Sequence, residues 1–306
     1  MGRLEKFSLG FLALLAVVPF LLEAFGQSLP AGYILRILSS ALMLSSLALA
    51  QNILLGYTGY PAFGAIAFFG VGGYASAILA KSLGLPMLIA MLGGGVVACL
   101  FAVLLAPVVM RLKSHYFAIA TLALQLALGE VVANLEFTGG ADGINLPIYR
   151  GFLQDYVFYL LFLFLTALCF GVNLFIDRSL LGYALKAIRE DEVAAESMGV
   201  NTVLFKSYSF AIMAFLTGLC GAVYAYWITY IDPPSMFDPL ISVKMFVALL
   251  LGGIGTTTGP LLGGFLFELV SELVWSKFTL IHGLVLGLII TLSILLFPKG
   301  LVGVRR

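Results

Sequence analysis

Charge is scarce in this chain. Asp, Glu, Lys and Arg together make 10% of its 306 residues and the net charge is +1. That balance excludes a surface that gathers nucleic acid or another polyanion through bulk basic charge. Cysteine and histidine are rarer still. Cys99, Cys169 and Cys220 all fall inside apolar runs, and His115 and His282 stand alone at segment ends. None has metal-ligand spacing and no nucleophile pattern accompanies them, so no metal site and no enzyme active site is expected. Glycine-rich stretches are present, but the one from Gly253 onward lacks the Gly-Lys-Ser/Thr of a phosphate-binding loop. Gly70-Val71-Gly72-Gly73-Tyr74-Ala75 has dinucleotide-site spacing, yet it lies in a long apolar run without a βαβ context. The chain is expected to bind no cofactor of its own.

What it has instead is apolar surface: 62% of residues are hydrophobic and the mean hydropathy is +1.12, against roughly 45–50% apolar in soluble domains. Apolar stretches run over Phe7 to Phe25, Ile34 to Leu55, Pro61 to Ala80, Leu85 to Met110, Tyr116 to Val132, Val157 to Ile176, Tyr208 to Ile228, Ile241 to Leu251, Pro260 to Val274 and Leu280 to Phe297. Most approach the ~20 residues that cross a bilayer as helix. The first follows Arg3 and Lys6 as a secretory signal does, but Glu23-Ala24-Phe25-Gly26 offers no convincing cleavage site, so it reads as an anchor. Ile241 to Leu251 and Pro260 to Val274 are short, and half-helices meeting at a Gly-rich turn are the alternative to two full spans. The fold class is all-α: a polytopic transmembrane helix bundle with about 8–10 membrane segments, some short or re-entrant.

Lysine and arginine orient the bundle, because cytoplasmic loops retain positive charge. With both termini inside and ten crossings, eleven of the sixteen basic residues fall on the inner side; only Arg36, Lys81, Arg150, Lys244 and Lys277 fall outside. The largest inner loop is then 177–206 and the largest outer one 133–156. The outer loop carries the turn cluster Thr138-Gly139-Gly140-Ala141-Asp142-Gly143.

The inner loop holds two short helical patterns. Leu180, Leu181, Ala184, Leu185 and Ile188 form a stripe flanked by Arg178, Lys186 and Arg189. Glu190, Asp191, Glu192, Val193, Ala194, Ala195, Glu196, Ser197 and Met198 follow, with acids suited to a helix start and Gly199 to its stop. A helix lying on lipid wants a basic polar face. This second piece has four acids and no base, which favours a ledge offered to a soluble protein, with the small Ala194 and Ala195 seated in the partner's groove. A second expectation concerns Gly255, Gly259 and Gly263, spaced by four, which wherever helical would make a smooth groove for close helix packing. The candidates for ion or proton sites inside apolar segments are Glu130, Glu268 and Glu272. By this topology they sit near outer boundaries and not at mid-membrane, where an ion-coupled carrier or channel would keep its sites.

A set of motifs in fixed order carries a resemblance. Gly56-Tyr57-Thr58-Gly59, Phe63-Gly64, Phe68 to Tyr74, Thr138 to Gly143, Gly182 to Gly199 (GYALKAIREDEVAAESMG), Gly252 to Pro260 and Phe297-Pro298-Lys299-Gly300-Leu301 resemble the LivM branch of the branched-chain amino acid ABC transporter permeases. The match extends from about Ala50 to the C-terminus. One departure is Ala62-Phe63-Gly64-Ala65, where family members commonly carry Ser-x-Gly-His. The resemblance implies one permease domain over 1–306 with a cytoplasmic coupling loop at 177–206, in a prokaryotic inner membrane. It implies a related second permease subunit, an extracytoplasmic solute-binding protein, and two cytoplasmic ATPase subunits that hold the ATP and Mg. It places ATPase coupling at Glu190 to Gly199, and the departure directs attention to Tyr57, Thr58, Phe63 and Gly64 as a translocation pathway. Branched-chain or related amino acids, moved by alternating access, are the implied cargo; an ion-coupled secondary transporter or channel is the competing class.

Overall fold

The computed structural model describes residues 2–24, 31–147, 152–277 and 300–303, with scattered positions between 283 and 291. The expected segment Leu280 to Phe297 and the Phe297-Pro298-Lys299 motif thus lie almost wholly outside the described residues. The long helices are α1 (Arg3–Ala24), α2 (Ala31–Gln51), α3 (Ile66–Leu83), α4 (Met87–Val109), α5 (Ser114–Asn134) and α6 (Phe152–Asp177). Two short ones follow, α7 (Leu180–Glu190) and α8 (Glu192–Ser197), then α9 (Thr202–Ile228), the single turn α10 (Pro233–Met236), α11 (Pro239–Gly252) and α12 (Gly259–Lys277). A π-helical segment, Asn52–Gly56, continues α2, and two-residue strands β1 (Ile144–Asn145) and β2 (Tyr230–Ile231) pair antiparallel.

Among the described residues, seven stretches are long and apolar enough to cross a membrane: Gly32–Gly56, Ile66–Leu83, Met87–Val109, Ser114–Asn134, Asp155–Asp177, Thr202–Ile228 and Pro233–Gly252. The helices α1 and α12, of 22 and 19 residues, have crossing length as well. The chain is therefore a polytopic α-helical membrane protein. Backbone polar groups find no water in a bilayer, and helices satisfy them internally.

The chain divides into two compact units. The unit built from Ala50–Ile148 and Val172–Lys244 has α3, α4 and α9 packed on one another. Glycines let their backbones touch. A Cβ on Gly72 would stand 2.2 Å from the Gly218 carbonyl oxygen, one on Gly94 2.3 Å from that of Gly72, and one on Gly221 2.0 Å from that of Phe69. Lipid tails are as apolar as leucine, so close approach of this kind, not apolar burial, drives helices together in a membrane.

The two ends of this unit differ. At one, the Ser114 hydroxyl donates to the Gly59 carbonyl (3.3 Å), beside α7 and α8. At the other, β1 and β2 pair with Ile144 opposite Ile231, and α10 follows. There Met236 and the Phe237 ring fill notches at Gly73 and Gly70, 2.1 and 2.4 Å from where a Cβ would be. Gln125 Nε2 donates to the Phe237 carbonyl and Ser242 Oγ donates to Gln125 Oε1, each at 3.0 Å. The 21-residue α5 (~30 Å) separates the loops at 111–114 from the turn cluster at 138–143.

The other unit contains α1, most of α2, the first part of α6, α12 and the C-terminal part of α11. Here α11 and α12 are joined by a six-residue turn at 253–258. Gly252 and Gly259 meet at the corner (2.0 Å from a Cβ on Gly252 to the Gly259 oxygen), and a Cβ on Gly263 would stand 2.2 Å from the Ala248 oxygen. Gly255 does not share that helical row. It lies in the turn at φ 76°, so the even spacing of the three glycines is interrupted by non-helical backbone. Polar ties complete the unit: Ser45 Oγ donates to the Leu261 carbonyl (3.0 Å), and the Ser46 and Thr166 hydroxyls are 2.9 Å apart.

Candidate functional site

The loop at 177–206 folds into a ledge. Ser179 caps α7 by accepting from Gly182 N at 3.2 Å, and Leu185 and Ile188 turn inward. The helix ends at Glu190 because Asp191 is extended (φ −158°), and Asp191 then caps α8, its Oδ1 accepting from Val193 N at 2.9 Å and Ala194 N at 3.0 Å. A negative cap at the positive end of a helix satisfies two otherwise orphan donors. Gly199, at φ 89°, stops α8 with a left-handed residue that favours glycine. The expected second piece thus begins at Asp191; Glu190 closes the first helix.

The faces of α8 also differ from expectation. Ala195 is buried at 5% exposure within its own unit, whereas Val193 and Met198 are 73% and 86% exposed. Ala195 cannot be the residue that seats in a partner. Val193, Ala194, Ser197 and Met198 form the open face, and Leu180 and Tyr183 of α7 are open too.

Underneath, charge-assisted hydrogen bonds hold the ledge. Glu192 accepts from Lys206 Nζ and from Tyr60 Oη, each at 2.5 Å. Lys206, with 2% of its side chain exposed, also donates to Tyr60 Oη (3.1 Å) and lies 4.4 Å from that ring's centroid. Burial alone pushes the Glu192 carboxyl upward, but hydrogen bonds from Lys206 and Tyr60 and the lysine's charge outweigh it, holding the group below the ordinary glutamate value. Burial and the neighbouring Glu192 raise the Tyr60 hydroxyl. From the last turn of α7, Arg189 Nη1 donates to the Gly56 carbonyl at 2.5 Å, and Lys186 pairs with Asp177 at 2.7 Å.

The Arg189 bond ends on the π-helical segment, which is buried throughout. Asn52 Nδ2 donates to Asn173 Oδ1 (3.0 Å) and Tyr57 Oη to the Asn173 carbonyl (3.2 Å). Thr58 Oγ1 bonds back to the Leu54 carbonyl at 2.6 Å. Tyr57 and Thr58 are buried and bonded, Phe63 is half-buried, and Gly64 is packed so closely on α5 that a Cβ would reach 1.7 Å from the Thr121 oxygen. Glu130 is exposed; Glu268 and Glu272 are half-buried, with Glu272 accepting from Tyr33 Oη at 3.2 Å. Among the described residues no group of three or more His, Cys, Asp or Glu is placed to hold a metal.

Reading the sequence missed Tyr60, Lys206 and the Asn52–Asn173 pair. Lys206 did leave a signal, since a lysine inside the first turns of an apolar helix needs an anion, and Glu192 stands a short loop away.

A family model described as branched-chain amino acid transport system / permease component matches residues 33–294. The high-affinity branched-chain amino acid transport system permease protein LivM of Salmonella typhimurium is 29% identical over 293 residues, covering 85% of this chain and 68% of the relative. The Escherichia coli protein of the same description matches to the same extent. The probable branched-chain amino acid transport permease protein LivH of Methanocaldococcus jannaschii is 27% identical over 320 residues, covering 94% of this chain and 96% of the relative. No solved structure matches the chain.

Proposed function

We propose, because the chain belongs to the family of branched-chain amino acid transport system permease components, that it forms half of the membrane passage of an ATP-driven importer for branched-chain or related amino acids. The relatives named LivM and LivH both match it, which supports pairing with a second, related permease. Two cytoplasmic ATPase subunits, using ATP and Mg, and an extracytoplasmic solute-binding protein complete the assembly. Both termini and the ledge at 177–206 face the cytoplasm and the cluster at 138–143 faces outward. The eleven-of-sixteen distribution of basic residues supports that orientation.

The observation that carries the reading is the open apolar face of α8. Val193 and Met198 are presented to solvent on a doubly capped helix whose other face is tied into the bundle. Large exposed apolar residues on a rigid, acid-flanked ledge suit a protein partner better than lipid. Closure of the ATPase dimer would push this ledge, and the helices would convert the push into alternating access.

Met198→Glu and Val193→Arg test the docking face. Both should leave expression and melting unchanged and abolish solute-stimulated ATP hydrolysis and uptake in vesicles reconstituted with the partner subunits. Normal uptake by both variants would remove the ledge from coupling. Transport by the purified chain on an ion gradient, with no ATPase present, would remove the importer reading itself. Ser197→Cys should be labelled from the cytoplasmic side alone.

A further inference from the structure

We propose that Arg189, together with the Tyr60–Glu192–Lys206 triad, is a positioning device that carries movement of the ledge into the buried π-helical segment Asn52–Gly56. The inference rests on the ATP-driven reading above and assigns the residues through which the ledge acts.

The grip is on backbone at one end and side chain at the other. Arg189, from the last turn of α7, donates to the carbonyl of Gly56, the final residue of the π-helix. Its side chain also passes within 3.5 Å of where a Cβ on Gly59 would be, and Gly59 has the left-handed φ of 76° at which the chain leaves the helix. Immediately beyond, Tyr60 is held by Glu192, in the first turn of α8. Two successive ledge helices thus hold 56–60 at its two ends, while Ser114 donates to the Gly59 carbonyl within it.

The segment they seize is suited to shift. A π-helix closes i→i+5 turns, is rare, and occurs chiefly as a local irregularity at functional sites. This one and the residue that follows it carry buried polar contacts to Asn173 that a displacement must break or slide along, namely the Asn52 amide and the Tyr57 hydroxyl. Static packing of a loop under a ledge needs only apolar contact. Here the connections are charge-assisted and aimed at one carbonyl and one hydroxyl, so they transmit direction as well as proximity.

The Arg189 bond is single, one nitrogen to one oxygen. A lysine can make it, whereas a methionine of similar reach cannot. The test uses the complete transporter, with its partner permease, ATPases and binding protein, in vesicles supplied with radiolabelled leucine, reading leucine moved per ATP hydrolysed. Arg189→Met should assemble and hydrolyse ATP close to the unaltered transporter while the ratio falls about threefold or more. Arg189→Lys should restore it, and Tyr60→Phe, which keeps the ring and removes the hydroxyl, should lower it by a smaller factor. An unchanged ratio in Arg189→Met would overturn the proposal. So would losses of uptake and hydrolysis in strict proportion to the amount of assembled protein, which is what a mere structural brace gives. If the unaltered complex shows no ATP-dependent uptake, the importer reading fails and not this assignment alone.

Discussion

The α3–α4–α9 core and the α7–α8 ledge belong to one compact unit and are held together by opposite means. In the core, glycines at 72, 94, 218 and 221 bring backbones into contact, and no ion pair is found among those contacts in the described residues. At the ledge, short helices of 11 and 6 residues have too little surface to pack that way, and Glu192, Lys206, Tyr60 and Arg189 fix them through directional bonds. Close packing makes a part that resists deformation. A few strong bonds make a part that keeps its geometry yet can be moved as a body, with its other face left open.

That contrast is broken most severely from the core side. Gly72→Leu has nowhere to place its side chain and should cost about 3 kcal/mol or more, seen as loss of assembled protein and a lowered melting temperature in detergent. Next comes Glu192→Gln, which strands the Lys206 ammonium. We expect about 2 kcal/mol, below the ~3–5 of a fully enclosed pair because a third of the Glu192 side chain meets solvent. The same group sets an acid limit. Its carboxyl is held below the ordinary value of 4.5, so its contribution is complete above that pH and is lost as pH falls through the lowered value. A pH series of melting temperatures should show that acid loss in the unaltered protein and less of it in Glu192→Gln. Asp191→Ala removes the α8 cap and should cost about 1 kcal/mol, read as faster hydrogen exchange at Val193 and Ala194 with the core unaffected. Val193→Ser, on the open face, should change stability by no more than ~0.5 kcal/mol. A large effect there would mean the open face is packed after all.

The membrane segments were legible because a bilayer demands long apolar helices, and sequence displays those directly. The ledge was half legible. The acids at 190–192 and Gly199 announced a helix, but a six-residue helix has no periodicity long enough to say which side faces in, and Ala195 was assigned outward where it is buried. Gly255 shows the limit of spacing rules: three glycines four apart fall on one face only if every residue between them is helical, and Thr256 instead closes a turn by bonding the Gly253 carbonyl. The π-helix, and the bond from Arg189 to a backbone oxygen, leave no side-chain pattern at all. They follow from how separated segments meet, as does the Phe237 notch.

That notch has a consequence for how this chain can vary. Connecting loops ordinarily accept insertions and deletions, but the stretch from Ile231 to Phe237 is pinned at both ends. Ile231 is in register with Ile144, and the Phe237 ring occupies the space that Gly70 and Gly129 leave. One residue added between them would slide the ring out of its socket or the strand out of register. This connector should therefore keep a fixed length through divergence even where its side chains drift, behaving like a spacer cut to size and not like a loop.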